Sequence, residues 1–232
     1  MDCIIDFHAH ILPGADHGSS TLETSIKQLE LLRSVGVDTV VATPHFYPTS
    51  DKVEKFLARR SKSAEKLLSS DTARKTGPRV ILGAEVLVCE HMEKMTGLEK
   101  LTIPGTDCIL LEMPTTEWTV ELIETVERIS EKFTVILAHI DRYPFEEVSQ
   151  LLSLDSLLAQ LNPHRLCSFF GKRKFYSLID SGKVIALGSD LHGSHGTQVK
   201  DFEKALKKMG SVRADMIMRS TSSLLHNAEY LF

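Results

Sequence analysis

His8 and His10 stand two residues apart in the stretch Asp6-Phe7-His8-Ala9-His10, directly behind the apolar run Cys3-Ile4-Ile5. In an extended strand, side chains two apart share a face, so a first strand over Cys3–Phe7 would deliver both imidazoles to one point at its end. That is a chelating geometry.

The same arrangement recurs along the chain. After the run Val-Val-Ala-Thr comes Pro44-His45, and after Val-Ile-Leu-Gly-Ala comes Glu85. Ile-Leu-Leu leads to Glu112, Val-Ile-Leu-Ala to His139, and Val-Ile-Ala-Leu-Gly-Ser to Asp190, with His192 two positions on. Any one of these has an ordinary explanation: a buried glutamate can be an ion-pair partner, a histidine can cap a helix, an aspartate can open a turn. Eight at one topological position are a constellation. Gathering Glu85, Glu112 and Asp190 without cations would cost several kcal/mol per unpaired charge. Imidazole and carboxylate without thiolate suit manganese, iron or zinc, and this many donors imply two or three divalent ions.

The elements that must position these groups are short β-branched runs alternating with longer helical patterns, which read as repeated β-α units. Strands are expected over Cys3–Phe7, Thr39–Ala42, Val80–Gly83, Ile109–Leu111, Val135–Ala138, Leu157–Leu161 and Val184–Gly188. Ser20 to Glu23 has capping-box spacing before a helical face of Leu22, Ile26, Leu29 and Leu32, which Gly36 ends. A second helix is expected from Glu117 to Lys132, with Val120, Ile123, Val126, Glu127 and Ile129 repeating the pattern. The predicted fold class is α/β, a distorted seven-stranded β/α barrel forming one domain over residues 1–232, in which C-terminal strand ends converge on one mouth.

Bulk properties narrow the function. The net charge of -4 argues against a dedicated nucleic-acid binder, and no apolar run approaches the ~20 residues of a membrane span. Residues 51–75 are locally basic, with Lys52, Lys55, Arg59, Arg60, Lys62, Lys66, Arg74 and Lys75 against four acids, which reads as a solvated helix face. Four cysteines form no Cys-x-x-Cys pair, and Met1 runs into a strand without a signal-peptide core, so the cytoplasm is the expected compartment.

The ordered set His-x-His, Thr-Pro-His, Gly-Ala-Glu, Leu-Glu, Ala-His and Ser-Asp-Leu-His resembles the polymerase-and-histidinol-phosphatase (PHP) superfamily of metal-dependent phosphoesterases. Within it, residues 6–18, Val41–Phe46, the stretch 138–144 and Ser189–His192 are similar to the CpsB/YwqE-type protein-tyrosine phosphatases of bacterial capsule and exopolysaccharide synthesis. The resemblance implies a PHP-type barrel with a trinuclear site. His8, His10, Glu85 and Asp190 would hold a first metal; Glu85, Glu112 and His139 a second; His45 and His192 a third. Where these phosphatases usually carry Asp-Asp-Gly, this chain has Asp16-His17-Gly18, so His17 is taken as the remaining third-site ligand with Asp16 as substitute. The loop after the last strand lacks the family's usual phosphate-facing arginine, a role His195 or Lys200 could fill. Arg142 matches the family motif and is the expected phosphate clamp, because a guanidinium binds two phosphate oxygens at once.

The implied reaction is hydrolysis of phosphotyrosine on a protein by a metal-bound hydroxide, with manganese as the expected cofactor and Asp141 or bound water as general acid. Three divalent ions against three carboxylates and one hydroxide leave about +2, which suits a phosphate dianion. The implied partner is a tyrosine kinase of polysaccharide export. Histidinol phosphate or another small phosphomonoester is the alternative substrate, and a non-catalytic metal-binding scaffold the alternative function. An amidohydrolase also starts with His-x-His but commonly uses a carboxylated lysine where Glu85 and Glu112 stand here.

Cys167 to Arg173 carries the Cys-x5-Arg spacing of thiolate phosphatases. That loop needs small residues whose N–H groups wrap the phosphate, and here Leu166 precedes the cysteine while Phe169 and Phe170 lie inside. Thiolate catalysis is therefore not expected.

Overall fold

In the computed structural model, which describes residues 3–168 and 171–232, the apolar runs form strands that alternate with helices along the chain. In order these are β1 (Ile5–Ala9), α1 (Leu22–Ser34), β2 (Thr39–Ala42), β3 (His45–Phe46), α2 (Val53–Leu68), α3 (Asp71–Thr76), β4 (Arg79–Leu82), β5 (Glu85–Leu87), β6 (Cys108–Glu112), α4 (Val120–Ser130), β7 (Thr134–Leu137), α5 (Phe145–Leu151), β8 (Leu157–Leu161), α6 (His164–Cys167), α7 (Lys172–Asp180), β9 (Val184–Leu187) and α8 (Thr197–Leu224). Among the described residues, every pairing between these strands is parallel, as in α/β folds whose sheet faces are covered by helices, and an isolated antiparallel bridge joins Ile81 to Tyr230.

The strands fall into two sheets, ordered β1-β2-β4 and β3-β5-β6-β7-β8-β9, rather than one continuous ladder. Two expected strands are each followed by a short strand that was not expected. β2 gives way to β3 across Thr43-Pro44, and β4 to β5 across Gly83-Ala84. Proline has no N–H to donate, yet the backbone stays connected: Glu85 N–H reaches Pro44 C=O at 3.1 Å and Gly83 N–H reaches Ala42 C=O at 2.8 Å. The break matters because it is where His45 and Glu85 leave the first sheet and face each other in register in the second.

At the other margin, an isolated bridge joins Ala9 to Leu191, flanked by Asp190 N–H to His8 C=O at 2.8 Å and His10 N–H to Leu191 C=O at 3.1 Å. β1 and the segment after β9 thereby bring their metal-competent residues side by side.

The helices differ in detail from expectation. Thr21, not Ser20, caps α1, its hydroxyl accepting from Thr24 N–H. The buried face of α1 is Ser25, Gln28, Leu29 and Leu32, because Gln28 is drawn inward to donate to His10 C=O at 3.1 Å and Leu191 C=O at 3.3 Å. In α4 the buried residues are Leu122, Thr125, Val126 and Ile129, while Val120 is 67% exposed. The basic face of α2 is not wholly solvated either. Arg60 is buried and donates to Gly83 C=O at 2.8 Å, bracing the strand break, and burial pushes its guanidinium down to about 10. Arg59 Nε donates to Ala15 C=O at 2.8 Å, tying α2 to the loop that carries Asp16 and His17. Among the described residues, no helix is long and apolar enough to cross a membrane.

Candidate metal centre

Strand ends and the turns behind them bring His8, His10, His45, Glu85, Glu112, His139, Asp190 and His192 into one cluster. Glu85 is its hub. One oxygen, Oε2, lies 3.2 Å from both His8 Nε2 and His10 Nε2 and 2.9 Å from His45 Nδ1; the other, Oε1, lies 2.8 Å from His139 Nε2. Glu112 approaches His139 at 3.5 Å and His45 at 3.9 Å. Asp190 Oδ1 lies 3.4 Å from His10 Nε2 and 3.7 Å from His8 Nε2. Backbone strain helps the convergence: His139 and Asp190 take positive φ of 31° and 52°, rare for residues with a side chain.

The outer partners fix which imidazole nitrogen faces inward. Gln160 Oε1 accepts from His8 Nδ1 at 3.1 Å and from His139 N–H at 2.7 Å, while its amide nitrogen donates to Asn162 Oδ1 at 2.9 Å. Asp16 Oδ2 takes His10 Nδ1 at 2.7 Å. The Tyr143 hydroxyl donates to Met113 C=O at 2.9 Å and stands 3.3 Å from His139 Nδ1, and His192 Nδ1 donates to Asp190 C=O at 3.0 Å. With one proton held outside, the second nitrogens of His8, His10, His139 and His192 face inward, where a cation can take the place of a second proton. Such outer-partner fixation is the usual device for orienting metal-binding histidines.

The inward atoms fit divalent cations. His8 Nε2 and His10 Nε2 face each other at 3.1 Å, two lone pairs that repel unless a proton or a cation lies between them and Glu85. Among the described residues, Glu85 Oε2, His45 Nδ1 and His192 Nε2 are buried without a hydrogen-bond partner, although Glu85 and His45 approach closely off the hydrogen-bond line. Donor atoms of His8, His10 and Glu85, of His45, Glu85 and Glu112, and of His10, His45 and His192 form three groups compact enough to share an ion.

Protonation follows from this crowding. Burial alone would raise the Glu85 and Asp190 carboxyls, but the surrounding imidazoles, with Arg142 at Asp190, hold both well below the usual carboxylate range. Burial would depress His139, yet Glu112 and Glu85 reverse this and hold it up at about 9.

Asp16 and His17 take different places. Asp16 is spent on His10, on Gly18 N–H at 2.8 Å and on His45 N–H at 3.0 Å. His17 is exposed, and its ring stacks 4.8 Å from that of His45 and lies tilted 4.7 Å from that of His192. Burial and the neighbouring imidazoles push its pKa down, so it presents a neutral ring. Gly18 is required by close approach, since a Cβ there would lie 2.0 Å from His10 Cβ.

Arg142 ends the turn Ile140–Arg142 behind His139, its guanidinium 45% exposed and ion-paired to Asp190 Oδ2. Asp141 departs from the expected catalytic placement: its side chain is buried, with Oδ1 accepting from Asn162 N–H at 3.0 Å and Oδ2 3.5 Å from His164 Nε2. It anchors a loop. His195 is exposed on the rim of a neighbouring cavity, outside the cluster, and Lys200 lies exposed in the first turn of α8. Cys167 donates to Asp201 C=O at 3.5 Å, and burial pushes its thiol up, the reverse of what a nucleophile requires. Phe169 and Phe170 of that loop lie outside the described residues.

Sequence reasoning missed Gln160 and Gln28. Each is a polar residue inside an apolar pattern, Leu-Leu-Ala-Gln-Leu in β8 and the buried stripe of α1, which was the available signal.

The chain and its fold are similar to those of known proteins. The tyrosine-protein phosphatase YwqE of Bacillus subtilis (strain 168) is 25% identical over 251 residues, an alignment spanning 97% of this chain and 92% of that protein. Among solved structures, the fold is similar to one described as YwqE from Bacillus subtilis and CpsB from Streptococcus pneumoniae, unique metal-dependent tyrosine phosphatases, with TM-score 0.71, 22% identity and coverage of 97% and 96%. It is also similar to the phosphotriesterase homology protein of Escherichia coli complexed with phosphate, with TM-score 0.53, 12% identity and coverage of 96% and 98%. With the family model for capsular polysaccharide synthesis, CpsB/CapC, matching residues 4–223, the chain belongs to that family.

Proposed function

We propose that this chain is a metal-dependent protein-tyrosine phosphatase of capsule or exopolysaccharide synthesis, loaded with manganese. The observation that carries the reading is the Glu85 carboxylate, buried and faced by His8, His10, His45 and His139 with one oxygen unpartnered. His8, His10, Glu85 and Asp190 would hold one ion; Glu85, Glu112 and His139 a second; His17, His45 and His192 a third. Bound there, divalent cations lower the pKa of water and take up charge on phosphate oxygens.

The protein's own groups do the rest. Gln160, Asp16 and Tyr143 keep protons on the outer imidazole nitrogens. Arg142, half-exposed at the edge of the cluster, offers its guanidinium to non-bridging phosphate oxygens and would exchange part of its Asp190 contact for the substrate.

The finer architectural reading is one domain over the whole chain, a seven-stranded barrel in which β2 with β3 and β4 with β5 each count as one bent strand. The Ala9–Leu191 bridge and its two flanking backbone bonds support closure. The substrate is a phosphotyrosine protein, and a tyrosine kinase of polysaccharide export fits the family. Four unpaired cysteines support a reducing cytoplasmic setting.

The test is a panel of phosphotyrosine peptide, phosphoserine peptide and histidinol phosphate with manganese-loaded enzyme, beside metal analysis of the same sample. Preference for phosphotyrosine is expected; preference for histidinol phosphate would move the chain to small-molecule chemistry, and no turnover in a fully loaded sample would leave a scaffold.

A further inference from the structure

Next to the metal centre lies a cavity of about 490 Å³, lined by Ser189 and His192, which stand on either side of Asp190 in the chain, and by Pro163, His164 and His195. Its size is that of a small-ligand site. We propose that His164, oriented by Asp141, donates the proton to the leaving-group oxygen, and that this cavity receives the leaving group. The inference rests on the phosphatase reading.

Asp141 is buried, and its two oxygens have separate tasks. Oδ1 holds Asn162 N–H at 3.0 Å, which fixes the start of the loop into α6, and Oδ2 lies 3.5 Å from His164 Nε2 at the first residue of that helix. The buried Asp141 carboxylate beside the His164 imidazole restricts its orientation. Asp141 itself is too enclosed to reach a substrate. His164, with its side chain 57% exposed, reaches both the cavity and bulk water, so it can give a proton inward and recover one from solvent. The same turn carries Arg142, which places the phosphate clamp and the support of the acid on consecutive residues. His195, the other imidazole on the rim, has no carboxylate partner among the described residues.

In the step, a water oxygen bonds to phosphorus as the bond from phosphorus to the phenolic oxygen breaks. The electron pair of the broken bond goes to the phenolic oxygen, which takes the proton from His164. The attacking water releases one proton to solvent, and His164 regains one from solvent, so the sum is ester plus water to phenol plus phosphate.

Proton donation matters in proportion to the basicity of the leaving group. Tyrosine, with a pKa of about 10, gains from it, whereas nitrophenolate leaves without a proton. The experiment compares phosphotyrosine peptide with nitrophenyl phosphate in manganese-loaded parent, His164→Ala, Asp141→Asn and His195→Ala enzymes, with metal content measured on each. In His164→Ala, kcat on phosphotyrosine should fall about 10²-fold, and at least tenfold more than on nitrophenyl phosphate, with metal content retained. Asp141→Asn should show a smaller loss with the same selectivity, and His195→Ala should keep the parent ratio between substrates. Equal losses on both substrates in His164→Ala, no loss on either, or a changed ratio in His195→Ala instead would overturn the assignment. Failure of the phosphatase reading is distinct, because the loaded parent would then turn over neither substrate.

Discussion

Asp16 Oδ2 lies 2.7 Å from His10 Nδ1 while the ring of the adjacent His17 stacks on that of His45 and lies tilted 4.7 Å from that of His192, so two neighbouring residues touch different parts of the cluster. Asp16→Ala should weaken metal binding through His10 by about 10–100-fold, the usual cost of removing an outer partner. His17→Ala should instead lose one ion per chain and leave the others, and His17→Asp should restore it. Metal titration with elemental analysis of the three variants checks this; an unchanged stoichiometry in His17→Ala would remove His17 from the ligand set.

Gln160 should matter for folding as well as for the site. Gln160→Leu strips the acceptor from His8 Nδ1–H and His139 N–H, leaving two buried donors at about 1–3 kcal/mol each. A lowered Tm in the chelated protein and weaker metal binding in the same variant are expected, and Gln160→Glu, which keeps an acceptor, should recover part of both.

Arg142→Ala should lower kcat/KM about 10²-fold, near 3 kcal/mol, with metal content maintained. Because the guanidinium also pairs with Asp190, a drop in metal content would mean that Arg142 acts by holding that carboxylate rather than the phosphate.

Acid should oppose metal loading. Without metal, His139 is protonated up to about 9, above its unfolded value of 6.5. Its raised pKa stabilises the metal-free fold fully below about 6.5, and this contribution is lost as pH rises toward 9. A cation must displace that proton, so apparent metal affinity should rise with pH by up to about tenfold per unit over the same window. Thermal melts with and without manganese from pH 6 to about 9 should diverge, the gap widening with pH; a constant gap would remove His139 from the ligands.

Chelation should abolish turnover and manganese should restore it, whereas Cys167→Ser should stay within about threefold of the parent, since the thiol is raised and occupied. Activity that survives excess chelator would reverse the mechanism.

Much of this was legible in the chain because parallel strands buried on both faces read as uninterrupted apolar runs, and the residue after each run is where the strand emerges. His8, Glu85, Glu112, His139 and Asp190 were locatable on that basis. The short strands β3 and β5 were not, because ladders of two or three residues carry no periodic signal and only their pairing reveals them. The role of Asp141 was missed for a related reason: its partners, Asn162 and His164, lie about twenty residues away, and nothing local announces them. Gln160 was hidden by reading its strand only as apolar.

The seam at β1 also carries a kinetic consequence. Ser189 N–H donates to Asp6 Oδ1 across 183 positions of chain, beside the contacts that complete the His8, His10 and Asp190 set. Loop closure of that length is slow and entropically costly, so β6 to β9 can pair long before the two margins meet. The cation site would then be absent from the folding transition state and present only in the native protein. Manganese should accordingly leave the refolding rate almost untouched and act by slowing unfolding, turning an occupied centre into a clasp that governs how long the fold persists.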